Sequence, residues 1–302
     1  WLNEGFATYT EYQGTDAIDA GFGVWDQFLN DVTQPALALD GTLTGTHALH
    51  QELSTVTTPG AIEELFDTID YSKGGAVVRM VALALDREYG VNTWSFAIEN
   101  YLKQHQYNNA KSLDLWTSAA EQIQAPNDDI TSKLLTWSNQ EGYPLVRVTS
   151  SGLEQERFYN SHTTTPAGTK WWIPVTYVRT AANGGVYTPS DVLACAMLPD
   201  TKNPSATTCP PMLPPPAPHA QYCLKLNIGT IGFYRVQYTL LQWQCLLTTF
   251  HTLPTEDRSG VIDDVFTIAR SATMDQGLLS TTYDIPLQFA AQLKQEQDLS
   301  VW

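Results

Sequence analysis

Along the first 143 residues the apolar positions recur at spacings of three and four, the period of helices that bury one face. Phe6, Tyr9 and Tyr12 form the first such stripe. Leu65, Ile69, Val77, Val78, Val81, Leu83 and Leu85 form the next, and Trp94, Ala97, Ile98, Tyr101 and Leu102 a third. Ser112 opens a fourth through Leu113, Leu115, Trp116, Ala119 and Ala120. Ile130, Leu134, Leu135 and Trp137 make a fifth, stopped by Gly142 and Pro144 as a helix C-terminus requires. Between residues 42 and 60 the chain is rich in Thr and Gly and reads as a loop.

At residue 144 the period changes to two. Residues 145–149, 171–177, 192–197, 222–227 and 232–238 alternate as strands do, split by Gly, Pro, Ser and Thr clusters, which predicts a β-sandwich. Seven of the 17 prolines lie between Pro204 and Pro218, so that stretch cannot be a central strand and reads as a polyproline-like surface loop. After Tyr238 the helical period returns through Leu240, Trp243, Leu246, Leu247 and Phe250. It then runs from Pro254 through Val261, Val265 and Ile268. The expected organisation is therefore multidomain: helices over 1–143, a β-sandwich over 144–238, and a helical region over 239–302.

Composition narrows the function. The 302 residues carry 16 Lys and Arg against 32 Asp and Glu, a net charge of −16. That excludes a nucleic-acid partner, which needs a basic face, and argues against docking on an anionic membrane. No apolar run reaches the roughly 18–20 residues of a membrane span, and no signal peptide is visible. The chain opens on Trp1 already inside a helical pattern and stops at Trp302 without a domain end, so a fragment is expected. Cys195, Cys209, Cys223 and Cys245 form no CxxC pair. One disulfide around the proline-rich segment and free buried thiols are both open readings, and there is no Asn-x-Ser/Thr sequon.

Few residues point to chemistry by themselves. The six histidines include no H-E-x-x-H. Their one close pair, His47 and His50 with Glu52 nearby, lies in the Thr- and Gly-rich loop and is expected to be surface structure, not a metal site. Glu4, among Trp1, Phe6 and Tyr9, is either a capping or ion-pairing residue or a carboxylate kept as a ligand.

The segment WLNEGFA around Glu4 resembles a signature of the aminopeptidase N-like zinc aminopeptidases, a gluzincin family. ELFDTIDYSKGGAVVRM (Glu64 to Met80) resembles the family's ELFDAISYSKGASVLRM without a gap. WSNQEGYPLVRV (Trp137 to Val148), LKLNIGTIGFYRVQY and DRSGVIDDVFTIARS follow in the family's order. The resemblance covers nearly the whole chain and is weakest over about 150–220. It implies that residues 1–143 are the C-terminal helical part of a thermolysin-like catalytic domain. A β-sandwich and the start of a helical C-terminal domain would follow.

For the site, the resemblance makes Glu4 the glutamate that completes a one-zinc site begun by H-E-x-x-H. Tyr71 becomes the tyrosine that stabilises the tetrahedral intermediate. His47 matches the family's S-H-P-L histidine, which supports its non-metal reading. Lys73 and Arg79 are expected as pairing cations, and Glu11 either as a group supporting the metal ligand from behind or as a helix-surface group. Asp70 departs from the family's small residue and is expected to cap the following helix, with like-charge repulsion on the Tyr71 phenol as the alternative. Gly75 stands for a common Ala and should only loosen its helix.

The implied activity is hydrolysis of N-terminal residues from peptides with a free N-terminus. The chain lacks H-E-x-x-H and the family's Gly-x-Met-x-Asn loop, so by itself it is expected to be inactive. A non-catalytic relative used as a binding or scaffold module is the alternative, and an epoxide hydrolase a third reading. A membrane-anchored parent with an extracellular catalytic domain is favoured over a cytoplasmic one, and a homodimer of that parent is left open.

Overall fold

The computed structural model describes residues 1–124, 129–149, 152–161, 169–181, 193–197, 209, 222–271 and 283–302. Most of the proline-rich segment lies outside these residues. The helical part contains α1 (Leu2–Ile18), α2 (Val24–Phe28), α3 (Gln34–Asp40), α4 (Pro59–Glu63), α5 (Gly74–Tyr89), α6 (Thr93–Gln104), α7 (Ser112–Ile123) and α8 (Ile130–Ser138). Two π-helical turns interrupt it, Leu29–Thr33 before α3 and Ile69–Lys73 before α5. The first has a local cause. Pro35 cannot donate a backbone bond and its ring crowds the preceding turn, so the chain widens and Gln34 N reaches back to Leu29 O.

Helix α5 is the spine of this part. Every residue from Gly74 to Ala82 is buried, and Leu85 continues the face. Around it pack Tyr9 of α1, Phe28 of α2, Leu37 of α3, Trp94 of α6, Trp116 of α7 and Trp137 of α8. The loop at 42–58 stays irregular, as the sequence predicts. It is tied down where His50 N donates to Ser138 O at 2.7 Å.

Among the described residues six strands follow: β1 (Pro144–Thr149), β2 (Gly152–Arg157), β3 (Ile173–Ala181), β4 (Leu193–Met197), β5 (Tyr222–Leu226) and β6 (Arg235–Gln237). They form two three-stranded sheets, ordered β2-β1-β6 and β4-β3-β5. All pairings are antiparallel except β1 with β6. The sequence did not predict β2. The strand predicted over 171–177 starts later, because side chains consume the backbone of both tryptophans. Trp171 N and O bond to the amide of Gln155, Trp172 N to Thr136 Oγ1, and Trp172 O to Trp137 Nε1.

The chain ends in α9 (Leu240–Thr249), α10 (Thr255–Arg270) and α11 (Asp284–Gln292). Helix α10 docks on the sheets through buried charge. Lys225 of β5 pairs with Asp257 at 2.9 Å. Arg235 of β6 reaches Asp263 and Asp264 while its Nε donates to the Tyr143 hydroxyl at 3.0 Å. Two disulfides complete the region, Cys195–Cys209 and Cys223–Cys245, so among the described residues no cysteine is free. The second ties β5 to α9.

Candidate functional site

Glu4 sits in the first turn of α1 and Tyr71 at the centre of the π-helical turn before α5, so 66 residues of chain separate two groups that must meet. Glycines bring them together. A Cβ on Gly5 would come within 2.9 Å of the Gly74 backbone, and one on Gly74 within 3.0 Å of Gly5 Cα. The two helices touch backbone to backbone where α1 crosses the start of α5, and only residues without side chains allow that approach. A Cβ on Gly75 would meet Thr8 Cγ2 at 2.8 Å. Gly75 therefore makes room for a threonine, which is a stronger role than the loosened helix expected from its sequence.

At this crossing the Tyr71 phenol lies close enough to the Glu4 carboxylate to feel its charge, and both side chains are half-buried. The phenol pKa is pushed above the ordinary tyrosine value. Loss of solvent is the main cause, followed by the neighbouring Glu4 carboxylate and then the charge of Asp70. A phenol is already protonated at neutral pH, and these surroundings leave it in that state, the one in which it can donate.

The turn carrying Tyr71 is capped by Asp67. Its Oδ1 accepts from Ile69 N at 2.8 Å and Asp70 N at 3.0 Å. Asp70 therefore does not cap its own helix, as the sequence suggested. It is buried, its Oδ2 accepts from Trp1 N at 3.3 Å, and burial raises its carboxyl pKa. The charge of Asp70 adds only the smallest of the contributions that raise the Tyr71 phenol.

Lys73 is a pairing cation as expected. Its Nζ lies 2.9 Å from Asp40 Oδ2, with both side chains fully buried, and also donates to Gln140 O and Gly142 O. Arg79 differs from expectation. It stacks over the rings of Trp25 and Phe28, 4.8 and 4.7 Å from their centroids, and burial lowers its pKa to about 10. Glu11 lies exposed on the helix surface.

The two loop histidines do not share a ligand set. His47 Nε2 donates to Asp67 Oδ2 at 3.1 Å, and His50 Nε2 lies 3.7 Å from Glu52 Oε1. Among the described residues one group, His47, Asp67 and Asp70, brings three metal-capable atoms within 4.8 Å of one another. Both Asp67 oxygens in it already accept hydrogen bonds, which marks the group as a protein-bonded network. Glu4 is not part of it and stands as a single carboxylate donor facing a phenol.

A cleft of about 940 Å³ opens between Trp1–Asn3, the loop at 49–56 and the α6–α7 hairpin, with Asp70 in its wall but neither Glu4 nor Tyr71 in its lining. A separate cavity of about 420 Å³ lies between α5 and β3 and contains neither Glu4 nor Tyr71. Sequence reasoning missed Asp67 and Asp40. Asp67 carried a readable signal, an aspartate just before an apolar helical run. Asp40 carried none.

The chain is similar to known proteins along its length. Residues 1–137 match the peptidase family M1 domain, and residues 223–302 match the ERAP1-like C-terminal domain. Aminopeptidase M1 of Arabidopsis thaliana is 32% identical over 91% of this chain. Human glutamyl aminopeptidase is 29% identical over 100% of it, and the puromycin-sensitive aminopeptidase of Caenorhabditis elegans 30% identical over 100%. The chain spans 30%, 29% and 30% of the lengths of these three relatives. With both ends of the chain matched in order, and relatives named aminopeptidases along its length, it belongs to the aminopeptidase N-like branch of peptidase family M1, a family of zinc metallopeptidases.

Proposed function

We propose that this chain is the part of a zinc-dependent aminopeptidase that supplies one metal ligand and one oxyanion donor. The observation that carries the proposal is the meeting of Glu4 and Tyr71 across the glycine crossing of α1 and α5. The donor set fits one corner of a catalytic zinc site, which takes three protein ligands and keeps a position open. Bound zinc would supply Lewis acidity for activating water and polarising a peptide carbonyl.

The chain's own residues then have separate tasks. Glu4 offers an anionic oxygen from a rigid helix. Tyr71, protonated at neutral pH, donates its phenol O–H to the oxygen that gains charge as the carbonyl becomes tetrahedral. Losing one such donor costs about 2.7–4 kcal/mol of barrier. The sequence holds no H-E-x-x-H and therefore neither the other two ligands nor the general base, so the 302-residue chain alone neither retains catalytic zinc nor turns over. Peptides with a free N-terminus are the substrates of the longer protein.

In this reading residues 1–143 are the helical part of a thermolysin-like catalytic domain. Residues 144–238 are the β-sandwich and 239–302 the beginning of the C-terminal helical domain. Two disulfides support an oxidising compartment and hence an extracellular or lumenal catalytic domain. Among the described residues no helix is long and apolar enough to cross a membrane.

The test is hydrolysis of aminoacyl chromogenic substrates by the intact peptidase. Glu4→Gln should abolish zinc retention and activity together. Tyr71→Phe should keep zinc and lower kcat about 100–1,000-fold. Unchanged activity in both variants would refute the roles of Glu4 and Tyr71, and an intact protein with no activity of its own would favour a scaffold role.

A further inference from the structure

We infer that Asp67, oriented by His47, is the positioning residue for Tyr71. The inference rests on the reading of Tyr71 as oxyanion donor and adds what holds that donor in place. Three successive backbone N–H groups at the start of the π-helical turn, those of residues 69, 70 and 71, have no partners in a preceding helix. Asp67 takes all three: its Oδ1 accepts from Ile69 N at 2.8 Å and from Asp70 N at 3.0 Å, and its main-chain oxygen accepts from Tyr71 N at 3.1 Å. The two carboxylate bonds depend on the Asp67 side chain; the main-chain bond to Tyr71 N does not.

Asp67 is itself held from outside the turn. His47 Nε2 donates to Asp67 Oδ2 at 3.1 Å, which fixes the carboxylate plane. Gln51 Nε2 lies 3.1 Å from His47 Nδ1 and donates to Ala48 O at 2.7 Å, so the ring is gripped on both sides. The loop carrying it is anchored by buried Leu49 and by the bond from His50 N to Ser138 O. A path of hydrogen bonds thus runs from the end of α8 through the 47–51 loop to Asp67 and the Tyr71 backbone.

The energetics separate this role from ordinary capping. Removing a cap costs about 1 kcal/mol of stability. An oxyanion donor works only when it sits about 2.7–3.1 Å from the developing charge. A misplacement of about 1 Å costs on the order of 100-fold in rate. Loss of Asp67 should therefore be mild for folding and severe for turnover, without Asp67 touching substrate.

A double-mutant cycle in the intact peptidase tests this, with thermal melts confirming that each variant is folded. Asp67→Ala should lower kcat about 10–100-fold with KM changed less than about twofold. The same substitution on a Tyr71→Phe background should cost less than about twofold more, because the group it positions is gone. Asp67→Asn and Asp67→Ser retain an oxygen for the Ile69 and Asp70 amides and should keep most of the activity. They also carry the test if the alanine variant does not fold. Equal losses from Asp67→Ala with and without the Tyr71 phenol would overturn the inference. So would full activity of Asp67→Ala beside an impaired Tyr71→Phe. Full kcat in Tyr71→Phe alone would overturn the role of Tyr71, and the inference with it.

Discussion

If the contact of Gly5 with Gly74 sets the geometry of the site, two glycine-to-alanine substitutions in the same helix should act in opposite directions. Gly14→Ala adds a methyl where nothing lies within 4 Å, so only helix propensity changes. That gain is about 0.5–1 kcal/mol. Gly5→Ala gains the same propensity but places its Cβ 2.9 Å from backbone atoms of Gly74. Carbon atoms pack best at about 3.5–4.0 Å, so α1 must retreat by at least about 0.6 Å. The obstacle is main chain, which no rotamer change relieves, and overpacking of this kind costs about 1–3 kcal/mol.

The clash wins, and Gly5→Ala should be net destabilising by about 1–2 kcal/mol, a fall of roughly 2–8 °C for a domain of this size. Urea unfolding followed by tryptophan fluorescence reads both variants. Gly14→Ala should raise the midpoint and Gly5→Ala lower it. A Gly5→Ala midpoint raised as much as that of Gly14→Ala would refute the close crossing, and with it the argument that glycines bring Glu4 to Tyr71.

Three further outcomes follow from the buried charges and the disulfides. Lys73→Met strands Asp40 in the core and should cost about 3–5 kcal/mol, with much of the loss recovered by adding Asp40→Asn; a single-variant loss under about 1 kcal/mol in urea melts would contradict the buried pair. Burial pushes the Asp264 carboxyl up to about 6 from 3.8. The folded state therefore binds the extra proton between those values, and this contribution to stability, on the order of 3 kcal/mol, is present below pH 3.8 and lost as pH rises through about 6. Asp264→Asn should flatten that part of the stability-pH curve, and an unchanged slope would count against it. Replacing Cys223 and Cys245 by alanine opens a cross-link of sequence separation 22 and should lower stability by about 3 kcal/mol, measured by the shift in urea midpoint.

Much of the secondary structure was legible because its signal is hydrophobic period. The helices from α5 to α8 and most strands bury apolar side chains at the spacing their geometry demands. Strand β2 escaped for the converse reason. Its inward positions are Leu153, Gln155 and Arg157, so two of three buried side chains are polar and the alternation is invisible to hydropathy. The strand predicted over 232–238 shortens to Arg235–Gln237 because other acceptors take the preceding backbone: Gly232 N donates to Asn227 Oδ1, Phe233 N to Met80 Sδ and Tyr234 N to Gly232 O. The π-helical turns were hidden because one widened turn hardly disturbs a 3.6-residue stripe.

The site was legible in a different way. Glu4 and Tyr71 were found by resemblance to a family, not by period, since nothing local says that residues so far apart meet. The reason they meet, three glycines at one crossing, becomes visible only in space. Asp40 and Lys73 show the same limit, being two charges whose burial depends on each other. Asp67 lay within a segment already singled out, yet its use emerged only from the bonds to Ile69, Asp70 and His47.

The central claim is that Glu4 is a zinc ligand with Tyr71 beside it. Anomalous diffraction at the zinc edge from crystals of the intact peptidase tests it most directly. The account predicts one zinc about 2.0–2.2 Å from a Glu4 carboxylate oxygen, with the Tyr71 phenol facing the same space. Zinc among His47, Asp67 and Asp70, or bound with Glu4 outside its ligands, would contradict it.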